Sequence, residues 1–202
     1  MKILILSVGR CGSSKLSSGL TTLLGYTGSN EPFNPTLGTQ HKFVPYTYPD
    51  EVPSNSVMKC IYGYDHLPSL GDWQPGFNIL YNNKFFLKFA KRFDKVILQS
   101  RRNVTELAES VQNSELTGNF GTEYTYGNQT LHKRHMVFSH RMTMNFGLFA
   151  RKIGKPITYY EDLYSKDRNV SEQAVKIFDI PQLNFDALYD NYLDPKFKLR
   201  RD

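Results

Sequence analysis

The sequence is poor in cysteine and lacks long apolar runs. Its 202 residues include two cysteines, Cys11 and Cys60, too few for a disulfide scaffold and typical of a reducing compartment. No apolar run approaches the roughly 18 residues that a membrane span needs. The apolar stretch before Ser7 is shorter than the ~7–15 residues of a signal-peptide core. We therefore expect a cytoplasmic chain without a membrane span.

Patterns for two common chemistries are also missing. His132, His135 and His140 share one predicted helix, but no paired cysteine or carboxylate completes a zinc-binding spacing. Cys11 lies in a basic loop that favours a thiolate. The phosphatase pattern, however, needs an arginine five residues later, and that position is Leu16. Neither a zinc site nor a cysteine phosphatase is expected.

The charge balance is basic. Lys and Arg number 25 against 19 Asp and Glu, a net charge of +6, and 40% of the residues are hydrophobic. The hydrophobic fraction predicts a globular chain, and the length fits a single domain over 1–202. A basic surface favours an anionic partner such as nucleic acid, lipid or a phosphorylated small molecule. Charge alone leaves plain solubility open.

Apolar runs alternate with helical spacing along the chain. Four short runs predict buried strands, and periodic segments predict helices between them. The order predicts an α/β fold with a mostly parallel central sheet flanked by helices, and ligands at the carboxyl ends of the strands. No regular structure is predicted over 25–55, and a mobile loop over 114–130. The strands are predicted at 3–8, 56–61, 96–98 and 157–160. The first helix is predicted from leucines at helical spacing over 16–24 and ends at Gly25, and further helices are predicted at 77–92, after Asn103, and at 131–153, 170–179 and 184–193.

The first candidate site is the Gly-Arg-Cys-Gly-Ser-Ser-Lys-Leu loop, residues 9–16, between the first strand and helix. Small residues let the backbone wrap an anion at a helix N-terminus, while Arg10 and Lys15 add positive charge. Ser14 and Leu16 stand where an ATP-binding loop has its second glycine and its magnesium-binding hydroxyl. A standard ATP loop is therefore disfavoured, and a turn without ligand stays open.

The second candidate site follows the third strand. Asn103 is predicted to cap a helix with Glu106 as its capping-box partner. Ser110 then lies on the Asn103 side of that helix, two turns on. Arg102 and this hydroxyl are placed to converge on one phosphate. A surface pair of Arg101 and Arg102 is the alternative.

Together these segments resemble the donor-binding elements of PAPS-dependent sulfotransferases, of bacterial, phage or carbohydrate type. Residues 9–16 resemble their 5′-phosphosulfate loop, and Arg102 with Ser110 is similar to their 3′-phosphate site. Lys59 lies in a strand resembling the one that carries a lysine near the sulfuryl group. The Tyr-Tyr-Glu-Asp-Leu segment at 159–163 looks like a late element of several members.

The resemblance implies a P-loop-containing, sulfotransferase-like nucleotide-binding fold. It implies PAPS (3′-phosphoadenosine 5′-phosphosulfate) as donor, PAP as product, no metal, and a small-molecule or glycan acceptor rather than a stable nucleic-acid complex. Glu31, in an Asn-Glu-Pro-Phe element, becomes the candidate base, and Lys59 and Arg10 stabilise charge on the sulfuryl oxygens. The donor-binding residues would be Arg10, Cys11, Gly12, Ser13, Ser14, Lys15, Arg102 and Ser110.

The sequence departs from the family at several points. Lys15 replaces an aromatic residue that stacks the adenine, and Cys60 replaces the catalytic histidine, which directs the base assignment to Glu31. Glu161–Asp162 is expected to cap the following turn. A kinase or nucleotide hydrolase with a degenerate loop stays open, as does a non-enzymatic phosphate- or nucleic-acid-binding module. Substitute bases are His41, Asp65 and His66.

Overall fold

The computed structural model describes residues 1–30, 52–62, 79–117 and 130–195. These ranges contain five strands, seven α-helices and a final π-helical turn. The strands are β1 (Lys2–Val8), β2 (Thr27–Asn30), β3 (Ser56–Tyr62), β4 (Lys95–Ser100) and β5 (Ile157–Tyr159). The helices are α1 (Ser13–Leu24), α2 (Ile79–Ala90), α3 (Val104–Thr117), α4 (Lys133–Ile153), α5 (Tyr160–Leu163), α6 (Arg168–Lys176) and α7 (Phe185–Leu188), and the π-helical turn is Tyr189–Leu193.

The strands form one parallel sheet in the order β2-β3-β1-β4-β5. β1 lies at the centre, where Ile5 pairs with Lys59 of β3 and with Ile97 of β4. The chain passes from β1 to one edge of the sheet and from β4 to the other. The loops after β1 and β4 therefore diverge, which leaves a crevice at the carboxyl ends of these two strands.

Side chains of β1 alternate between two hydrophobic cores, because successive strand residues point to opposite faces. Leu4, Leu6 and Val8 join the core that α2, α3 and α4 cover. Ile3 and Ile5 join the core under α1, α6 and α7. Helices on both faces explain why this strand is apolar throughout its middle, as parallel strands usually are.

The coarse α/β prediction is confirmed, and the described residues contain five strands where four were predicted. The missed strand is β2, whose Thr-Gly-Ser-Asn sequence has no apolar run and which forms by pairing with β3 at the sheet edge. Helices α1 and α4 end as predicted, because Gly25 and Gly154 adopt left-handed conformations at their C-termini.

The C-terminal helices differ from the prediction. The helix predicted at 170–179 is α6, at 168–176, and the one predicted at 184–193 splits into α7 and the π-helical turn. Within the described residues, none of the helices combines the length and the apolar composition that crossing a bilayer requires.

Two residues of α4 provide a test of the core. Phe146 is fully buried and its ring lies 5.1 Å from that of Tyr62, whereas Met144 is exposed. Because truncation of a buried aromatic removes contacts and leaves a cavity, Phe146→Ala is expected to lower the free energy of unfolding by about 3–5 kcal/mol. Met144→Ala, the control on the opposite face, should change it by about 0.5 kcal/mol or less. Urea denaturation measures both, and equal effects would contradict the assigned core.

Candidate functional site

The loop between β1 and α1 curls tightly at the carboxyl end of the central strand. Arg10 and Gly12 both adopt left-handed backbone conformations, with φ of 67° and 73°. Left-handed residues alternating with ordinary ones turn successive N–H groups toward one side of the chain, which makes an anion-binding concavity. The N–H groups of Lys15 and Leu16 donate to the Gly12 carbonyl at 3.1 and 3.3 Å, whereas the N–H groups before them, at the start of α1, have no intrahelical acceptor.

Side chains from three elements hold this loop in place. The Tyr164 hydroxyl donates to the Gly12 carbonyl at 2.6 Å, and the Gln99 amide donates to the Cys11 carbonyl. The Ser7 hydroxyl donates to that of Ser13 at 2.9 Å. Tyr164 and Gln99 were missed from the sequence, because nothing in their local spacing indicates which distant carbonyl they reach.

The Cys11 side chain lies beneath the loop. It is fully buried and its thiol donates to the Gly9 carbonyl. Burial raises the pKa of the Cys11 thiol far above its usual value, and the nearby Arg101 and Arg10 only partly oppose this. The neutral thiol is unsuited to nucleophilic chemistry. Lys15 belongs to the same segment, residues 9–16. Partial burial lowers the pKa of its amine.

Two long-range hydrogen bonds join the predicted site segments. Arg10 Nε donates to Ser110 Oγ of α3 at 3.2 Å, across 100 residues of sequence. Lys59 Nζ donates to Ser14 Oγ of α1 at 2.8 Å, across 45 residues. The structure therefore brings the β1 loop, β3 and α3 together near the carboxyl ends of the strands.

Lys59 lies within the strand that the sequence predicted at 56–61. It is in the middle of β3, opposite Ile5, and it is buried. On the neighbouring edge its register partner is Asn30, the last residue of β2. Its side chain points to the α1 side of the sheet, and this orientation takes its amine to the first turn of α1.

Arg102 binds Asp162 of α5. Both terminal nitrogens of its guanidinium donate to the carboxylate of Asp162, one of them at 2.6 Å. The guanidinium carbon also lies 4.3 Å from the centre of the Tyr159 ring. The hydrogen bond to Asp162 raises the pKa of Arg102 above its usual value. The side chain is 53% exposed, so its outer edge faces solvent.

Glu161 of α5 binds the backbone at the start of α3. Its two carboxylate oxygens accept from the backbone N–H groups of Arg102 and Asn103, each at 3.1 Å. The expectation that Glu161–Asp162 caps the following turn was wrong, because both carboxylates reach back to the end of β4. The predicted cap of α3 is confirmed by the Asn103 side chain, which accepts from Glu106 N at 3.1 Å.

Arg101 is a buried cation, whereas the sequence predicted it only as half of an alternative surface pair. It is 7% exposed, and its guanidinium carbon lies 4.3 Å from the centre of the Tyr160 ring. Its terminal nitrogens donate to the backbone carbonyl and the carboxylate of Glu106, both at 3.4 Å. Among the residues that the structure describes, none accepts from its Nε atom.

The candidate base Glu31 lies outside the described residues, and so do its substitutes His41, Asp65 and His66. In the part of the chain that the structure describes, no cluster of three or more His, Cys, Asp or Glu side chains is arranged to hold a metal ion.

No protein-family model matches this chain, and no curated protein matches it either.

Gly12 is the residue of the loop with the strictest steric requirement. A Cβ atom there would lie 2.7 Å from the Tyr164 ring, in addition to the cost of a positive φ. Gly25 has a similar φ of 64° but open space around it. Gly25→Ala therefore isolates the backbone cost, about 1–2 kcal/mol. We expect Gly12→Ala to lower thermal stability more than Gly25→Ala does, and equal shifts in Tm would contradict the packing of Tyr164 against the loop.

Proposed function

We propose that this chain is a PAPS-dependent sulfotransferase with a sulfotransferase-like P-loop fold. The observation that carries the proposal is the convergence of the β1 loop, Lys59 of β3 and Ser110 of α3, through Arg10–Ser110 and Lys59–Ser14 contacts. These are the segments whose sequences resemble the donor-binding elements of that family. Their meeting at the crevice of a parallel sheet, where such ligands bind, supports a common ligand.

The 5′ end of the donor is assigned to the β1 loop. Its phosphosulfate would accept hydrogen bonds from N–H groups at the start of α1 and from the Ser14 hydroxyl. Arg10 and Lys59 supply the positive charge, and Lys59 is buried, so its charge acts in a medium that screens it weakly. Cys11 and Ser13 contribute through their backbone N–H groups, since both side chains are buried below the loop.

The 3′-phosphate is assigned to Ser110 and Arg102. Ser110 touches Arg10, which places its hydroxyl beside the 5′ loop. Arg102 binds Asp162 through its terminal nitrogens, yet a guanidinium has further N–H donors and this one is about half exposed. Asp162 and Tyr159 hold it in one orientation, which lowers the entropy that phosphate binding costs.

The proposed reaction is an in-line displacement at sulfur. An acceptor oxygen or nitrogen forms a bond to sulfur, the bond from sulfur to the 5′-phosphate oxygen breaks, and PAP leaves. Glu31 takes the proton of the acceptor. This assignment rests on the sequence. Lys59 and Arg10 stabilise charge on the sulfuryl and bridging oxygens.

Calorimetric titration with 3′,5′-ADP tests the donor site. We expect binding without magnesium, and Ser110→Ala should weaken it by about 10-fold through loss of a hydrogen bond to a charged group. Ser114→Ala is the matched control, because its buried hydroxyl donates to the Ser110 carbonyl one turn further along the same helix. Tight binding of ATP–magnesium with no binding of 3′,5′-ADP would support the kinase or hydrolase alternative and overturn the proposal.

Transfer of label from ³⁵S-PAPS to a panel of sugars, amines and alcohols tests the reaction. Glu31→Gln is expected to keep 3′,5′-ADP affinity while slowing transfer by about 100-fold, the usual effect of losing a general base. Full activity of this variant would show that the base assignment is wrong and leave the donor site untouched. Absence of transfer by the unaltered chain to any acceptor, despite 3′,5′-ADP binding, would favour a binding module.

A further inference from the structure

Helix α4 is basic along its whole length. The helix has 21 residues, with five Lys and Arg and no Asp or Glu. Since the whole chain has a net charge of +6, α4 alone carries a charge equal to nearly all of it.

The same helix exposes apolar side chains in a line. Val137, Met144 and Leu148 are 42%, 58% and 57% exposed. Their spacing of seven and then four residues places them on one side of the helix. His135, Met142 and Phe146 lie on the opposite side and are buried. Three apolar side chains on one line of a helix are more than the scattered exposure that a surface normally shows.

Cations flank this apolar line. Arg141, Arg151 and Lys152 are exposed, and at 100° per residue they fall within about 60° of the apolar line on either side. We call this surface the α4 ridge. It consists of Val137, Arg141, Met144, Leu148, Arg151 and Lys152.

We propose that the α4 ridge binds the surface of an anionic lipid bilayer. Apolar side chains with cations beside them on one face are the pattern of helices that lie in the membrane interface. A nucleic acid would pair with the cations but would bury no aliphatic side chain. A protein partner would need a groove about 30 Å long to match the helix, whereas a bilayer accommodates any straight ridge. The lipid surface therefore fits both the charges and the apolar line.

The geometry of α4 links this surface to the candidate donor site. Gln112 of α3 accepts from the His132 backbone N–H at 2.7 Å and donates to the Thr130 carbonyl at 3.1 Å. Gln112 is two residues after Ser110 in the sequence, and these hydrogen bonds attach the start of α4 to α3. Gln112 also contacts His135 on the buried side of α4, at 3.1 Å, so α3 packs on the side of α4 opposite the ridge and leaves the ridge accessible.

Vesicle flotation of the full chain tests the proposal. We expect it to float with an equimolar mixture of phosphatidylglycerol and phosphatidylcholine and to stay behind with phosphatidylcholine alone. Arg141→Gln with Lys152→Gln should weaken binding about 30-fold, since each cation near an anionic surface is worth roughly a fivefold gain in affinity. Met144→Ser with Leu148→Ser should weaken it several-fold, because apolar area also contributes.

Matched controls remove the same groups elsewhere. Val170→Ser with Ile177→Ser removes two exposed apolar side chains at α6, and Lys91→Gln with Lys166→Gln removes two exposed cations. Both control pairs should leave flotation unchanged. Failure of the unaltered chain to float with the mixed vesicles would overturn the proposal. An equal loss in the ridge pairs and the control pairs would also overturn it.

A fluorescent label distinguishes contact of the α4 ridge with lipid from contact through another face of the protein. The native cysteines Cys11 and Cys60 are buried, so a polarity-sensitive dye reacts selectively at Leu148→Cys or, as control, at Ile177→Cys. Mixed vesicles should shift the emission to the blue only at Leu148→Cys. Flotation without this shift would assign membrane contact to another face. Flotation lost only in the charge pair, with equal binding to duplex DNA, would indicate a general polyanion site and overturn the lipid assignment.

Discussion

Burial of β1 on both faces and along both edges is the constraint on which the rest of the structure depends. The strand pairs with β3 and β4, and its side chains fill two separate cores. No polar group can be placed along it without a buried partner. Polar chemistry is therefore confined to its carboxyl end, where the chain turns at Arg10 and Gly12. Because the strands are parallel, the carboxyl ends of β3 and β4 lie on the same side of the sheet as that of β1.

Contacts with neighbouring side chains fix the orientation of the charged side chains near the carboxyl ends of the strands. Glu161 and Asp162 connect the end of β5 to the end of β4, and this connection fixes the backbone entering α3 as well as the Arg102 guanidinium. Arg101 is held between the Tyr160 ring and Glu106. Side chains held in this way lose little entropy when an anion binds, which is the usual design of a preorganised site. This arrangement suits the proposed donor site better than a general basic surface.

The basic composition separates into two regions with different neighbours. Around the β1 loop, cations are interleaved with hydroxyls and carboxylates from several elements, an environment suited to a small and highly charged ligand. On α4, cations flank a line of exposed aliphatic side chains, and the helix contains no Asp or Glu. That surface suits an extended partner with both charge and an apolar layer. Gln112 connects the two regions through α3.

Local patterns in the sequence determined most of the secondary structure. The apolar runs of β1, β3 and β4, the glycines that end α1 and α4, and the Asn103 cap depend on residues close in sequence, so spacing alone predicts them. Only the tertiary structure decided which distant groups meet: β2 forms by pairing with β3, Ser110 binds Arg10, and Asp162 binds Arg102. A polar side chain has the same local signature whichever partner it reaches, and that partner is set by how the strands order in the sheet.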